Sequence, residues 1–111
     1  MNRIIFFTMF LIFCTAPLFA TEVPTVNLGE KLFKATNLGK SGQSCESCHP
    51  SGKGLEEIEA YDDGMLKEMV NFCIRDALKG QMIDLESTEI ESFLLYLRKV
   101  QDSRKKEKGE R

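Results

Sequence analysis

Two cysteines and a histidine within five residues, Cys45-Glu46-Ser47-Cys48-His49, constrain this chain more than any other feature. Two intervening residues let the backbone turn so that both sulfurs reach the same edge of a ligand, and the next residue projects beneath it. Thiols so spaced can each add to one vinyl group of a haem, and an imidazole in the following position can coordinate its iron. That is the attachment pattern of haem c. His49 is the only histidine in the sequence, so it is the one candidate for a proximal imidazole ligand. Competing readings need more than the chain offers. A thioredoxin-like redox pair needs a βαβ setting, of which there is no sign. A zinc site needs a second pair of Cys or His ligands.

The remaining cysteines, Cys14 and Cys73, divide by compartment. Asn2 and Arg3 give a short polar, positively charged start, and an apolar run follows from Ile4 to Cys14, broken only by Thr8. The segment closes on Ala16-Pro17-Leu18-Phe19-Ala20. A charged start, an apolar run and a small-residue cleavage site read as a secretory signal peptide over residues 1–20, cut after Ala20. The run is shorter than the roughly 20 residues a spanning helix needs, and Pro17 interrupts any extension. The expectation is therefore a periplasmic or otherwise exported protein with no stable membrane insertion after cleavage. Cys14 leaves with the signal, and three thiols cannot all pair in an oxidising compartment. Covalent use of Cys45 and Cys48 leaves Cys73 to be explained.

About 91 of the 111 residues then remain, enough for one small domain. A core of that size is marginal, and a large apolar cofactor would give its side chains something to pack around. Loss of Arg3 takes the net charge from −2 to about −3, which gives no reason to expect nucleic-acid binding.

Helical periodicity organises the rest. Val26 to Ala35 reads as a helix with Leu28/Leu32 and Gly29/Phe33 at i,i+4 spacing. Gly29 costs helix stability, so its place there implies close approach by another backbone. Thr36 to Gln43 and Pro50 to Gly54 read as loops on either side of the cysteine motif. Asp62 and Asp63 suit the start of a helix from about Gly64 to Lys79, with Met65, Met69, Phe72, Cys73, Ala77 and Leu78 on one broad inner face and Gly80 as its stop. A last helix from near Ser87 to about Val100 carries Ile90, Phe93, Leu94 and Leu97 on its inner stripe. The acidic run Glu56, Glu57, Glu59, Asp62 and Asp63 reads as a solvated surface, or as a guide for a basic partner. Beyond it lie the basic residues Arg98, Lys99, Arg104, Lys105, Lys106, Lys108 and Arg111. They read as a solvated, frayed helix end, or as a docking patch for an acidic partner or anionic lipid. The organisation expected is a signal peptide at 1–20, one domain at 21–101 and a basic, flexible tail at 102–111.

With Gly29 and Phe33 in the first helix, the Cys45-x-x-Cys48-His49 motif, and a terminal helix reading Phe-Leu-Leu-Tyr-Leu-Arg-Lys, the mature chain resembles the class I cytochrome c family. The resemblance implies an all-α, cytochrome c-like fold of three to four helices packed around one covalently attached haem c. It also implies that the first and last helices cross at the glycine, with Phe93 and Tyr96 matching the aromatic positions of the last one. The implied function is that of an electron carrier serving redox partner proteins.

The distal side departs from the family. Class I cytochromes place a methionine ligand in a proline-containing loop before the last helix. Here only Gly80-Gln81-Met82-Ile83-Asp84-Leu85 joins the two helices, with Met82 nearest the family position. Asn71-Phe72-Cys73 resembles instead the segment of sulfur-compound-oxidising cytochromes, such as thiosulfate dehydrogenase, in which a helix-borne cysteine binds the iron. Cys73 is thus the candidate distal ligand and Met82 the alternative, with another group or an open position as the third case; Met65 and Met69 read as core. Methionine would raise the potential, and a thiolate would stabilise ferric iron and lower it. The functional alternatives are a haem subunit of a sulfur-compound-oxidising enzyme and a haem-based sensor.

Overall fold

Thr25 opens the first helix, its hydroxyl accepting the Leu28 N–H at 3.0 Å and so satisfying one of the free donors of the first turn. The structure is a computed structural model that describes residues 22–109, so the expected signal peptide lies outside the described residues. Helix α1 spans Val26–Lys34, α2 Cys45–Cys48, α3 Asp63–Asp76 and α4 Thr88–Gly109, with short 3₁₀ turns at Pro50–Gly52 and Ile58–Ala60. Regular structure among the described residues is entirely helical, apart from an isolated antiparallel bridge between Gly39 and Gly80. None of these helices is long and apolar enough to cross a membrane.

α1 buries Gly29 and Phe33, one turn apart, against α4. The approach is as close as the glycine implied, because a Cβ on Gly29 would lie 2.0 Å from the Ser92 carbonyl oxygen. Ser92 is fully buried at the crossing, and its hydroxyl accepts the Thr25 N–H at 3.1 Å. Phe33 and Tyr96 close the contact with ring centroids 5.2 Å apart and planes inclined by 57°. On α4 the residues Ile90, Phe93, Leu94 and Leu97 are all buried, as the periodicity required.

α3 starts on Asp62, whose carboxylate accepts the Met65 N–H at 2.8 Å. Its inner face differs from the expected one. Leu66, Asn71 and Ile74 are buried, whereas Met65 and Phe72 are 49% and 46% exposed. Two neighbouring stripes of this helix are apolar, and packing on α4 selects the one through Leu66 and Ile74. Phe72 is capped from outside by the Arg75 guanidinium, 5.1 Å from the ring centroid. Asn71 turns inward because its amide donates to the Ile83 carbonyl and accepts the Ile83 N–H, each at 2.7 Å. That pair of bonds fastens the connection between α3 and α4 to the helix.

The last helix runs past Val100 to Gly109 where a frayed end was expected, while Glu57, Glu59, Asp62 and Asp63 are exposed, as a solvated acidic surface requires. Arg98 bonds Asp63 Oδ1 at 2.8 Å and the carbonyls of Ile58 and Tyr61 at 3.0 and 2.7 Å. Arg104 bonds Glu56, and Lys105 pairs with Glu59. Each charged run supplies the other's partners, so the extra turns of α4 lie along the segment between α2 and α3.

Two outcomes follow from these contacts. Gly29→Ala should cost about 2–3 kcal/mol in a denaturant titration, because backbone stands where the methyl must go. Gly64→Ala, whose Cβ meets nothing nearer than 3.4 Å, should change stability by no more than about 0.5 kcal/mol. The Glu56 carboxyl is held below its ordinary 4.5 by its own backbone N–H and by Arg104. Such a group stabilises the fold above its unfolded pKa and loses that contribution as pH falls through the folded value. The melting temperature should therefore drop as pH is lowered below about 4.5, and less steeply in Glu56→Gln.

Candidate functional site

The cysteine motif is a single helical turn with its own cap. Ser44 accepts the Ser47 N–H at 3.1 Å while the Ser47 hydroxyl accepts the Ser44 N–H at 3.0 Å, a reciprocal capping box. Within one turn, residues three apart share a face, which brings the Cys45 and Cys48 thiols to the same side. The His49 N–H bonds the Cys45 carbonyl at 2.9 Å and carries the chain out of the turn beside them.

His49 is held by the loop that follows. Its Nδ1 lies 2.9 Å from the Lys53 carbonyl oxygen, which can only accept. Nδ1 therefore carries the proton, and Nε2 keeps the lone pair that a metal ion would use. The loop reaches this geometry through Gly54, whose φ of +87° belongs to the left-handed region and whose Cβ would lie 3.3 Å from Nδ1.

Cys45, Cys48 and His49 form one side of an apolar cleft of about 700 Å³, its open mouth included. Phe33, Phe93 and Leu97 close its back, Leu55 and Ile58 one end, and Leu66, Met69, Val70, Cys73, Ala77 and Leu78 the wall contributed by α3 and its end. The loop before α2 is pinned to that end, with Lys40 N–H on the Lys79 carbonyl at 3.2 Å and Ser41 N–H on the Leu78 carbonyl at 3.0 Å.

Of the candidate ligands, Cys73 stands in the cleft with the motif, within reach of solvent. Met82 is 54% exposed and outside the lining. The Asn71–Ile83 bonds explain this, since they hold the connection against α3 immediately after Met82. Met69, read from the sequence as core, lines the cleft one turn before Cys73. The signal that could have found it is the i,i+4 spacing of two soft sulfur donors on one helix.

The thiols sense one another. Burial pushes Cys45 up to about 11, with the charges of Cys73 and Cys48 adding to the rise. Cys73 is also raised, first by burial and then by Asp76 and Cys48. Two thiols pushed toward the protonated form, with Cys48 and the His49 ring beside them in a hydrocarbon lining, suit a flat, largely apolar group held at one side.

No family model, curated protein or solved structure matches this chain.

Gly54→Ala should lower the melting temperature by more than Gly42→Ala. Both replacements strain a left-handed residue, but only the first presses a methyl group on the His49 ring, as Gly42 has nothing within 4 Å. Scanning calorimetry of the two variants checks the order.

Proposed function

We propose that this chain is an exported monohaem c-type cytochrome that carries electrons between redox partner proteins. Cys45 and Cys48 would hold haem c through thioether bonds, and His49 Nε2 would be the proximal ligand of its iron. The observation that supports the reading best is the meeting of both thiols and a tautomerically fixed imidazole in one apolar cleft. When bound, the haem supplies one-electron chemistry between ferric and ferrous iron.

The protein's own residues would set the character of that chemistry. The Lys53 carbonyl, by accepting from Nδ1, makes the imidazole a stronger donor at Nε2. Phe33, Phe93 and Leu97 exclude water from the back of the cleft. Cys73 would be the distal ligand, as the sulfur on the α3 wall that also lies within reach of solvent. Burial and its neighbours favour the protonated thiol there, so an adjacent cation is what would draw it into the thiolate form. The same cysteine favours a second reading, the haem subunit of a sulfur-compound-oxidising enzyme, because a thiolate is a nucleophile toward sulfane sulfur. One haem passes one electron, so joining two thiosulfates would require further centres from a larger assembly.

Mass spectrometry and optical spectra of the protein purified from an export-competent host test the proposal. The expected mass is that of the mature chain plus one haem, lost in the Cys45→Ala, Cys48→Ala double variant. An unmodified mass from a host able to mature c-type cytochromes would sink the reading. Electron paramagnetic resonance of the ferric protein should show a low-spin thiolate signature that disappears in Cys73→Ala and persists in Met82→Ala and Met69→Ala. A methionine-to-iron charge-transfer band lost in either methionine variant would assign the distal position to that residue instead.

A further inference from the structure

The outer turns of α4 are longer than its packing on α1 and α3 requires, and their contacts converge on the loop that holds His49. Arg104 donates to Glu56 Oε1 through Nε at 3.0 Å and Nη2 at 2.7 Å, and to the Ser51 carbonyl through Nη1 at 3.2 Å. One guanidinium thus grips the loop at residues 51 and 56, on either side of the Lys53 carbonyl. Between the grips the backbone is wound into tight turns: Gly52 N–H bonds the His49 carbonyl at 2.9 Å, Lys53 N–H that of Pro50 at 3.0 Å, and Leu55 N–H that of Gly52 at 3.0 Å. Gly52 lies flat on α4, where a Cβ would be 2.0 Å from Val100 Cγ1.

Burial separates this ion pair from its neighbour on the same helix. The side chains of Arg104 and Glu56 are each 23% exposed, whereas those of Lys105 and Glu59 are 49% and 57% exposed. Two guanidinium donors converging on one partly desolvated carboxylate oxygen fix geometry, and exposed lysine pairing does so weakly.

We infer that Arg104 and Glu56 are positioning residues for the His49 imidazole, clamping the 51–56 loop on α4 so that the Lys53 carbonyl stays on Nδ1. The α4 extension is then the outer support of the proximal side: helix to loop, loop to carbonyl, carbonyl to ring. The role of His49 as an iron ligand rests on the function proposed above, while the clamp on its ring does not.

The test uses the purified full-length export product, with haem content counted first. Nitrogen-15 NMR then follows hydrogen exchange of the His49 Nδ1–H, and a redox titration gives the midpoint potential. Arg104→Met should speed that exchange by about tenfold or more, the scale on which lost outer-shell support of a ligand is felt. It should also shift the potential upward, since a weaker bond to Lys53 leaves the imidazole a poorer donor to ferric iron. Glu56→Gln should move both readouts the same way by less, Arg104→Lys should restore them in part, and Lys105→Met should leave them at native values. A lower melting temperature in Arg104→Met with native exchange and native potential would overturn the clamp. Should that variant not fold, native exchange in Glu56→Gln would overturn it equally. Absence of haem from the native protein would count against the proposed function alone, because ring exchange on the same sample still reads the clamp.

Discussion

Everything in this small domain depends on how closely α1 can lie on α4. The crossing is made where one side chain is missing, at Gly29, and where the facing helix presents a serine backbone. At that distance Phe33 reaches past the contact to Tyr96 on one side and toward the cleft on the other. A methyl group in the gap would separate the helices along their length and lift Phe93 and Leu97 with α4, because helices pack as rigid ridges. The back wall of the cleft is therefore a by-product of the helix crossing. Its apolar character is inherited from core residues shared between the two.

The site itself combines a local and a distant part. Ser44 to Gly54 is almost self-contained: a capping box, a helical turn, a proline-led 3₁₀ turn and a carbonyl returned to the histidine ring. The opposite wall arrives with α3, whose orientation is set by Leu66 and Ile74 against α4 and whose exit is fastened by Asn71. The short part supplies two thiols and the imidazole. The packed part supplies volume and exclusion of water, together with Cys73.

How much of this was legible in the sequence follows from that division. The thiols and imidazole could be read because their arrangement is a matter of a few consecutive residues. Gly29 could be read because a glycine inside a helix is a cost that calls for a neighbour. The inner face of α3 could not be read in full, since Met65 and Phe72 lie on an apolar stripe next to the one that packs, and only the partner helix chooses between them. Asn71 gave no signal, because what it bonds is backbone, and backbone has no letter in the sequence. The acidic and basic runs gave no sign of one another because their pairs lie far apart in the chain: Arg98 reaches Asp63, Arg104 reaches Glu56 and Lys105 reaches Glu59.

Helix order along the chain adds a temporal consequence to the Gly29 crossing. α1 lies near the start of the described chain and α4 near its end, so Phe33 has no surface to bury against until α4 has been made and delivered. A chain made amino terminus first presents its cysteine turn well before that back wall exists. Once α4 arrives, the sulfurs of that turn lie at the edge of a closing cleft. The long sequence distance between the two crossing helices thus acts as a delay: the cysteine turn is complete in the chain well before the back wall it faces.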